Sequence, residues 1–318
     1  MRMTSENKKI IPIAFAFDEN LIVPAEVCIS SLLSSAKPDT FYDIFILHAD
    51  GTDLSTFEAE KLKSAYGNCN ITLRSVGNAF SSAFEIRGIT VPAYYRLLIP
   101  ELIPEHDKIV YSDVDVVFRS DLWELYSTYI GNAYIGATYD MGLCLSKDGN
   151  EYTKSVDGLC PGEYIQSGFI LINSKQIRQD KLTTKFKELA KLKLRYQDQD
   201  ILNIACNGRI HILPYMYNMT DQATYYLMNE PQRIDGKYNN SDSSAAKRYG
   251  TVHFNGHKPW KKYSVYFDIW WEAYRKSPVF DEKYYFDFFY KKIDEYDRLP
   301  LMKRIKILVR YFVHGRKK

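Results

Sequence analysis

Cysteine is scarce in this chain of 318 residues, and its pattern excludes two common kinds of site. The cysteines are odd in number, widely spaced and without a C-x-x-C pair; the five are Cys28, Cys69, Cys144, Cys160 and Cys206. Such spacing indicates neither a disulfide framework nor a zinc cluster. A reducing compartment fits this composition best, so we expect the protein to be cytoplasmic.

Long hydrophobic runs are also missing from the sequence. No segment offers the roughly 18 uninterrupted apolar residues that a transmembrane helix requires, so no membrane span is expected. Residues 1–10 contain no extended apolar core, so we expect no secretory signal there. A glycine-rich phosphate loop of the form G-x-x-x-x-G-K-[ST] is absent as well, which argues against a nucleotidyltransferase or hydrolase built on that loop.

Positive charge is confined to one end of the chain. The formal net charge is +3, yet residues 301–318 contain seven Lys and Arg residues and no acidic residue. The first 300 residues therefore carry a net charge of −4, the difference between +3 and +7. A local basic patch favours one anionic partner surface and gives no reason to expect nucleic acid as a partner.

The basic end of the chain has the pattern of an amphipathic helix. Its apolar residues recur on one helical face and are Leu301, Met302, Ile305, Leu308, Val309 and Phe312. The remaining surface carries Lys303, Arg304, Lys306 and Arg310. Such a helix is typical of binding to an anionic membrane surface, which would place the protein peripherally at the inner face of the cell membrane. The alternative is a terminal helix whose apolar face packs on its own domain.

The chain is long enough for one large α/β domain, predicted over residues 1–275, followed by a helical basic segment over 276–318. Apolar strand-like runs alternate with helix-like patterns, which predicts a largely parallel sheet. We predict strands at 10–17, 43–48, 71–76, 108–111, 133–138, 167–173, 209–213 and 251–254. Helices are predicted at 23–33, 55–66, 92–98, 181–194 and 199–206. The glycine-containing stretch 139–164 is expected to be loose and to shape an acceptor pocket, and 229–249 to be a polar loop.

Two carboxylates follow the predicted strand at 108–111. Asp113 and Asp115 are spaced i, i+2, so in extended backbone they share one face and can converge on one point. Hard oxygen ligands of this kind suit Mg²⁺ or Mn²⁺ beside a diphosphate. The pattern therefore predicts a metal-dependent nucleotide site, with a turn or helix cap as the alternative explanation.

Polar residues near two other predicted elements suit the same chemistry. Asp18 and Asn20 end the first strand and could bond a base edge, although a turn or cap also explains them. Arg96 lies on a predicted helix ahead of the two carboxylates, where its guanidinium could hold phosphate or sugar oxygens. In open α/β sheets ligands bind outside the carboxyl ends of the strands, which is where Asp18 and Asp113 fall.

Two polar clusters follow later in the chain. One opens an apolar helix with Asp198 and Asp200, either of which would also serve as an N-cap. The other combines His253, Gly256 and Lys258 after a short strand. A lone histidine is usually structural, but this combination could bind metal and diphosphate together.

Taken in this order, these elements resemble glycosyltransferase family 8, the retaining enzymes that include bacterial lipopolysaccharide galactosyl- and glucosyltransferases and glycogenin. The match spans about residues 10–271, and its most specific segments are 111–115, 196–203 and 253–260. The resemblance implies the GT-A fold, a Rossmann-like, mostly parallel mixed sheet flanked by helices. In this chain a C-terminal helical basic tail would follow that fold. The implied activity is transfer of glucose or galactose from a UDP-sugar to a cell-surface glycan, glycolipid or lipopolysaccharide-type acceptor.

The resemblance also implies a role for each matching residue. Mn²⁺, with Mg²⁺ as an alternative, would be bound by Asp113, Asp115 and His253. The donor would be contacted by Ala16, Asp18, Asn20, Arg96, Ser112, Val114, Gln166, Gly256 and Lys258. The candidate catalytic residues are Gln199, expected below the anomeric carbon, and Asp198, expected to contact the donor hexose.

Departures from the family pattern limit what the resemblance implies. Leu21 stands where many relatives place a tyrosine against the uracil, and Gln166 stands where asparagine is usual. The donor hexose is therefore left open between glucose and galactose. Gln199 is a poor nucleophile, which favours front-face attack of the acceptor, with Asp198 as a covalent nucleophile the alternative. Two functional hypotheses compete with this one: a non-catalytic homologue that binds nucleotide-sugar or membrane, and a metal-dependent nucleotidyltransferase or hydrolase.

Overall fold

The centre of the molecule is a mixed β-sheet in the computed structural model, which describes residues 8–77, 79–80, 91–238 and 242–314. Within those residues the strands are β1 (Lys9–Ala16), β2 (Thr40–His48), β3 (Cys69–Ser75), β4 (Ile109–Ser112), β5 (Val116–Val117), β6 (Ile135–Tyr139), β7 (Ile165–Ile172), β8 (Ile210–Ile212) and β9 (Val252–His253). Residues 1–7, part of the segment where no signal is expected, and residues 315–318 of the predicted tail lie outside this description.

Helices connect and cover the strands. The first seven are α1 (Ile22–Ser34), α2 (Ala59–Tyr66), α3 (Ile99–Leu102), α4 (Trp123–Ser127), α5 (Met141–Leu145), α6 (Lys147–Ser155) and α7 (Ser174–Gln179). The others that the structure describes are α8 (Leu182–Leu189), α9 (Gln197–Ala205), α10 (Asp221–Asn229), α11 (Ser243–Tyr249), α12 (Phe267–Lys276), α13 (Glu282–Asp297) and α14 (Leu301–His314). 3-10 helices occupy Glu19–Leu21, Val91–Leu98, Tyr215–Tyr217 and Pro231–Arg233.

The main sheet has the strand order β3-β2-β1-β4-β7-β6-β8. Strands β3, β2, β1 and β4 are parallel, as are β6 and β8, whereas β7 runs antiparallel to both β4 and β6. A separate two-stranded antiparallel sheet pairs β5 with β9. The carboxyl ends of β1, β4 and β6 and the amino end of β7 therefore lie at one edge of the main sheet.

The buried strands explain why the sheet is covered on both faces. In β1, Ile13 and Phe15 belong to one core cluster and Ala14 and Ala16 to the other, because alternate residues of a strand point to opposite faces. Strand β7 is buried along its whole length, as expected for a central strand between two layers of helices. Helix α2 ends at Gly67, whose φ of 67° is a left-handed conformation that glycine adopts readily.

Most predicted elements form within a few residues of their expected bounds, but three expectations are wrong. Residues 139–164 are not loose, because they contain α5 and α6. The predicted loop at 229–249 contains the turn Pro231–Arg233 and the helix α11. Residues 92–98 form a 3-10 helix, where an ordinary α-helix is expected. In the first two cases polar or glycine-containing sequence hides a short helix that tertiary contacts stabilise.

The chain divides into two compact units, Met1–Val279 and Phe280–Lys318, whereas the sequence places the boundary between residues 275 and 276. The second unit contains α13 and α14. On α14 the apolar side chains of Leu301, Met302 and Phe312 are exposed. Within the described part of the chain, no helix is both long enough and apolar enough to span a bilayer.

Candidate functional site

The candidate metal ligands converge where the small sheet meets the end of β4. Asp113 and Asp115 directly follow β4, and pairing of β5 with β9 brings His253 beside Val116. The Nε2 atom of His253 lies 3.2 Å from Asp115 Oδ1 and 3.9 Å from Asp113 Oδ2. Ligand atoms from all three residues lie within 4.8 Å of one another. This separation suits a single divalent cation with two carboxylates and one imidazole as ligands.

The orientation of His253 is fixed by Asn218, a residue that the sequence analysis does not identify. The Nδ1 atom of His253 lies 2.8 Å from Asn218 Oδ1, and since an amide oxygen accepts, Nδ1 carries the proton. That bond leaves Nε2 facing the two carboxylates, where it is placed to ligate a metal ion together with them. Asn218 Nδ2 in turn donates to Gln166 Oε1 at 2.8 Å, which links the predicted donor contact to the histidine.

Gly168 on β7 has no side chain, and the candidate metal ligands Asp113 and His253 occupy the space that a side chain there would fill. A Cβ atom at this position would lie 2.4 Å from Asp113 Oδ2 and 2.5 Å from His253 Cε1, which are distances that real Cβ atoms essentially never show. Asp113 N donates to Gly168 O at 2.7 Å, so the two backbones are held together at this point. The glycine is therefore required by space rather than by its backbone conformation.

Charge at the candidate metal site is balanced by Lys258. The ammonium group of Lys258 pairs with Asp115 and donates to Phe254 O at 2.6 Å. Burial alone would raise the pKa of Asp115, but the charges of Lys258 and His253 outweigh it and hold that pKa well below its ordinary value. Asp115 is therefore ionised throughout the physiological pH range, as a metal ligand must be.

Arg96 links the metal ligands to the candidate catalytic helix. Its guanidinium donates to Asp113 Oδ1 at 2.8 Å and to Ser167 O at 2.7 Å, and its Nε lies 3.3 Å from Asp198 Oδ2. Burial lowers the pKa of Arg96, but Asp113 and Asp198 reverse this effect and raise it above its ordinary value. The expected contact of Arg96 with a donor hexose stays a prediction, and its observed contacts are with protein groups.

The first turn of α9 carries Asp198 and Gln199 toward the same site. Ser167 Oγ donates to Asp198 Oδ2 at 2.9 Å, and burial raises the pKa of Asp198 to about 6 although Arg96 opposes the shift. Gln199 Oε1 accepts from Ser167 N at 3.2 Å. The expectation that Asp198 or Asp200 is the N-cap is wrong, because the N-cap is Tyr196 and both aspartates lie inside the helix.

Asp140 is a site residue that the sequence analysis does not identify. It follows β6 at the same edge of the sheet, and its Oδ2 accepts from Gln199 Nε2 at 3.0 Å while its Oδ1 caps α5 through Leu143 N. Burial raises the pKa of Asp140. Its position two residues after the predicted strand 133–138 is the signal that could have found it, since the carboxyl ends of strands are where ligands bind.

The candidate metal ligands, Arg96, Asp140, Asp198 and Gln199 line one cavity of about 400 Å³. Its lining includes the predicted residues Ala16, Arg96, Asp113, Val114, Asp115, Gln166, Asp198, Gln199, His253 and Lys258, together with Leu21, Asp140 and Ser167. A further four predicted donor contacts, Asp18, Asn20, Ser112 and Gly256, are not among the lining residues. Asp18 Oδ1 accepts from Asn20 N at 3.0 Å, which is the turn that the sequence offers as the alternative role of this pair.

A family model and a curated relative both match this chain as a glycosyltransferase. A sequence model described as Glycosyl transferase family 8 matches residues 12–264. The chain is 27% identical over 287 residues to a lipopolysaccharide 1,2-glucosyltransferase of Escherichia coli, covering 86% of this chain and 80% of the relative.

Solved structures are similar over most of the chain. The galactosyltransferase LgtC, in complex with donor and acceptor sugar analogues, superposes with a TM-score of 0.71 at 26% identity over 86% of this chain and 99% of that one. The bifunctional glycosyltransferase WbbM superposes with a TM-score of 0.70 at 24% identity, covering 90% of this chain and 52% of that one. At that identity the second likeness shows the fold alone.

Proposed function

Because the chain belongs to glycosyl transferase family 8, we propose that it transfers a hexose from a UDP-sugar to a lipopolysaccharide-type or other cell-surface glycan with retention of configuration. The convergence of Asp113, Asp115 and His253 beside Asp198 and Gln199 in one cavity carries this proposal. Glucose or galactose is the proposed hexose, since the E. coli relative is named for glucosyl transfer and LgtC for galactosyl transfer.

The residues present fit a divalent metal ion, with Mn²⁺ preferred and Mg²⁺ as the alternative. Two carboxylates and an oriented imidazole supply suitable ligand atoms, and Gly168 keeps their meeting point clear of a side chain. When bound, such an ion neutralises charge that develops on the departing diphosphate. Lys258 contributes a second positive charge at the same place, as electrostatic stabilisation of a leaving group requires.

Asp198 and Gln199 are proposed to hold the donor hexose. The acceptor hydroxyl attacks the anomeric carbon on the face from which UDP departs, the bond from that carbon to the phosphate oxygen breaks, and the hydroxyl proton passes to the departing oxygen. Gln199, whose amide is a poor nucleophile, supports this front-face route. Asp198 accepts hydrogen bonds from Ser167 and lies against Arg96, which supports a holding role over covalent attack.

The donor and acceptor occupy different parts of the cavity in this proposal. Ala16 and Val114 line the side expected for the nucleotide, where Asp18 and Asn20 follow β1 and would contact uracil and ribose. Ser112, Gln166 and Gly256 would complete the donor contacts. Asp140 lies across Gln199 from Ser167, and we assign it to the acceptor side.

The proposed reaction is tested with a screen of UDP-glucose, UDP-galactose and their N-acetyl forms, with oligosaccharides from rough lipopolysaccharide as acceptors. We expect Mn²⁺-dependent release of UDP with one of the unmodified hexoses, and a product that keeps the α configuration of the donor by NMR. GDP-mannose is the control donor. Absence of UDP release from every UDP-hexose, or a product of inverted configuration, would contradict the proposal.

A second proposed partner is an anionic membrane at the cytoplasmic face, bound through residues 301–318. On α14, Leu301, Met302 and Phe312 are exposed, and Lys303 and Lys306 are exposed beside them. Each basic residue near an anionic surface contributes roughly 1 kcal/mol, and the attraction is screened beyond a Debye length of about 8 Å at physiological salt.

Deleting residues 301–318 is expected to abolish binding to phosphatidylglycerol vesicles while sparing transfer to a small soluble acceptor, since every proposed site residue precedes the deletion. Sedimentation with vesicles at low and high salt measures the first effect. Phosphatidylcholine vesicles and a Lys303→Gln, Arg304→Gln, Lys306→Gln variant are the controls, and both should bind weakly. Vesicle binding that survives the deletion would refute this partner, whereas a lower melting temperature without vesicle binding would show that the helix packs on its own domain.

A further inference from the structure

Helix α9 carries the two candidate catalytic side chains but has an unusual beginning. Its N-cap, Tyr196, provides no side-chain cap bond. The next residue, Gln197, has a φ of 45°, in the left-handed region that residues with a side chain rarely adopt. Asp198 and Gln199 follow immediately, so groups outside the usual cap must hold this turn in place.

Asp200 supplies that hold without lining the cavity. Its side chain is fully buried and is not among the cavity-lining residues, whereas Asp198 and Gln199 are. Asp200 Oδ2 accepts from Tyr196 N at 2.8 Å, which ties the N-cap residue to the second turn of the helix. A buried carboxylate is costly unless hydrogen-bond donors surround it, so the remaining donors to Asp200 matter.

Two tyrosine hydroxyls are those donors. Tyr164, directly before β7, donates to Asp200 Oδ1 at 2.6 Å, and Tyr152, on α6, donates to Asp200 Oδ2 at 2.5 Å. The direction of the second bond is set by Arg195, whose backbone N–H donates to the Tyr152 hydroxyl at 3.3 Å. Burial and the charge of Asp200 raise the pKa of both tyrosines, so both stay protonated donors.

We propose that Asp200, Tyr152 and Tyr164 form a positioning brace that fixes the first turn of α9, so that Asp198 and Gln199 face the bound donor. The brace rests on the proposed function, because its purpose is to align those two side chains with a sugar. None of its three members lines the cavity, so the brace acts through Asp198 and Gln199 rather than on the substrate. Two of its members come from the segment 146–164, which ties that segment to the catalytic turn.

The test uses Tyr152→Phe, Tyr164→Phe and the double variant, each of which removes a hydroxyl and keeps the buried ring. The matched control is Tyr134→Phe, because Tyr134 also donates its hydroxyl to an aspartate, Asp180, at 2.8 Å, but lies before β6 at the opposite edge of the sheet. We expect the double variant to lose about 10- to 100-fold in kcat, the scale that small misplacement of reacting groups costs. KM for the UDP-sugar should stay within about twofold, because ground-state binding is retained.

A second readout does not depend on turnover. Amide hydrogen exchange over residues 197–205 should be faster in the double variant than in the wild type and unchanged in Tyr134→Phe. The brace would be overturned if the double variant kept the wild-type kcat. It would also be overturned if the double variant and Tyr134→Phe had equal melting temperatures and the double variant lost no more kcat than Tyr134→Phe. If the wild-type chain releases no UDP from any UDP-hexose, the proposed function fails and hydrogen exchange alone tests the brace. Faster exchange over residues 197–205 in the double variant would then support the brace, and unchanged exchange would overturn it.

Discussion

We expect replacing Asp113 or Asp115 by asparagine to abolish sugar transfer. Either change removes one charged oxygen ligand while hardly altering side-chain volume, and the candidate metal site has only two carboxylates in the described part of the chain. Loss of an outer partner of a metal typically costs about 10- to 100-fold in affinity or activity, so loss of a direct ligand should cost more. The measurements are UDP release and the affinity for UDP by calorimetry, with and without Mn²⁺.

His253→Ala should behave in the same way, and Asp107→Asn is the matched control. Asp107 is an exposed carboxylate that pairs with Arg178 and Lys175 outside the cavity. We expect this control to keep wild-type transfer and wild-type UDP affinity. Undiminished Mn²⁺-dependent turnover in either the Asp113 or the Asp115 variant would show that the assigned residues do not hold the metal.

Gly168→Ala is expected to be as damaging, although it adds only one methyl group. The new Cβ would lie 2.4 Å from Asp113 Oδ2 and 2.5 Å from His253 Cε1, so one or both ligands must move away from their meeting point. The backbone on either side belongs to the buried central strand β7 and cannot easily yield. We expect UDP binding to lose its dependence on Mn²⁺ and transfer to fall below detection.

Gly136→Ala on the neighbouring strand β6 separates this effect from overpacking of the core. Its new Cβ would contact only side chains, with Leu213 at 3.3 Å, and it lies away from the metal ligands. A modest loss of melting temperature with normal Mn²⁺ dependence is expected for this variant. Should Gly168→Ala retain Mn²⁺-dependent UDP binding, the space at Gly168 would not be a requirement of the metal site.

The sequence predicts the parallel half of the fold well because its signals are local. Apolar runs before Asp18 and Asp113 mark β1 and β4, and the family resemblance and the predicted GT-A fold are confirmed by the family match, the mixed sheet and the LgtC neighbour. The direction of β7 could not be read from its residues, since a strand buried on both faces has the same apolar run whichever way it runs.

The parts of the site that the sequence does not predict depend on contacts between distant residues. Asn218 acts through His253 and stands in no local motif that sets it apart. Asp140 acts through Gln199, and its place after a predicted strand is its only local signal. Helix α6 was hidden because the polar sequence of residues 147–155 has low intrinsic helix propensity, which its tertiary contacts override, and α5 because it is only five residues long and contains a glycine. The roles assigned to all the predicted site residues stay predictions, those of Asp18, Asn20, Ser112 and Gly256 and the contact of Arg96 with a sugar among them.

The antiparallel course of β7 has a consequence for how this protein can diversify. Strand β6 ends and β7 begins at the same edge of the sheet, so the connection between Tyr139 and Ile165 starts and ends there. Surface connections accept insertions far more readily than strands do. New turns added within this connection would reshape the rim around Asp140, on the side that we propose for the acceptor, and leave the register of the sheet unchanged. In terms of the proposed function, a change in this one connection would alter the acceptor and keep the sugar donor.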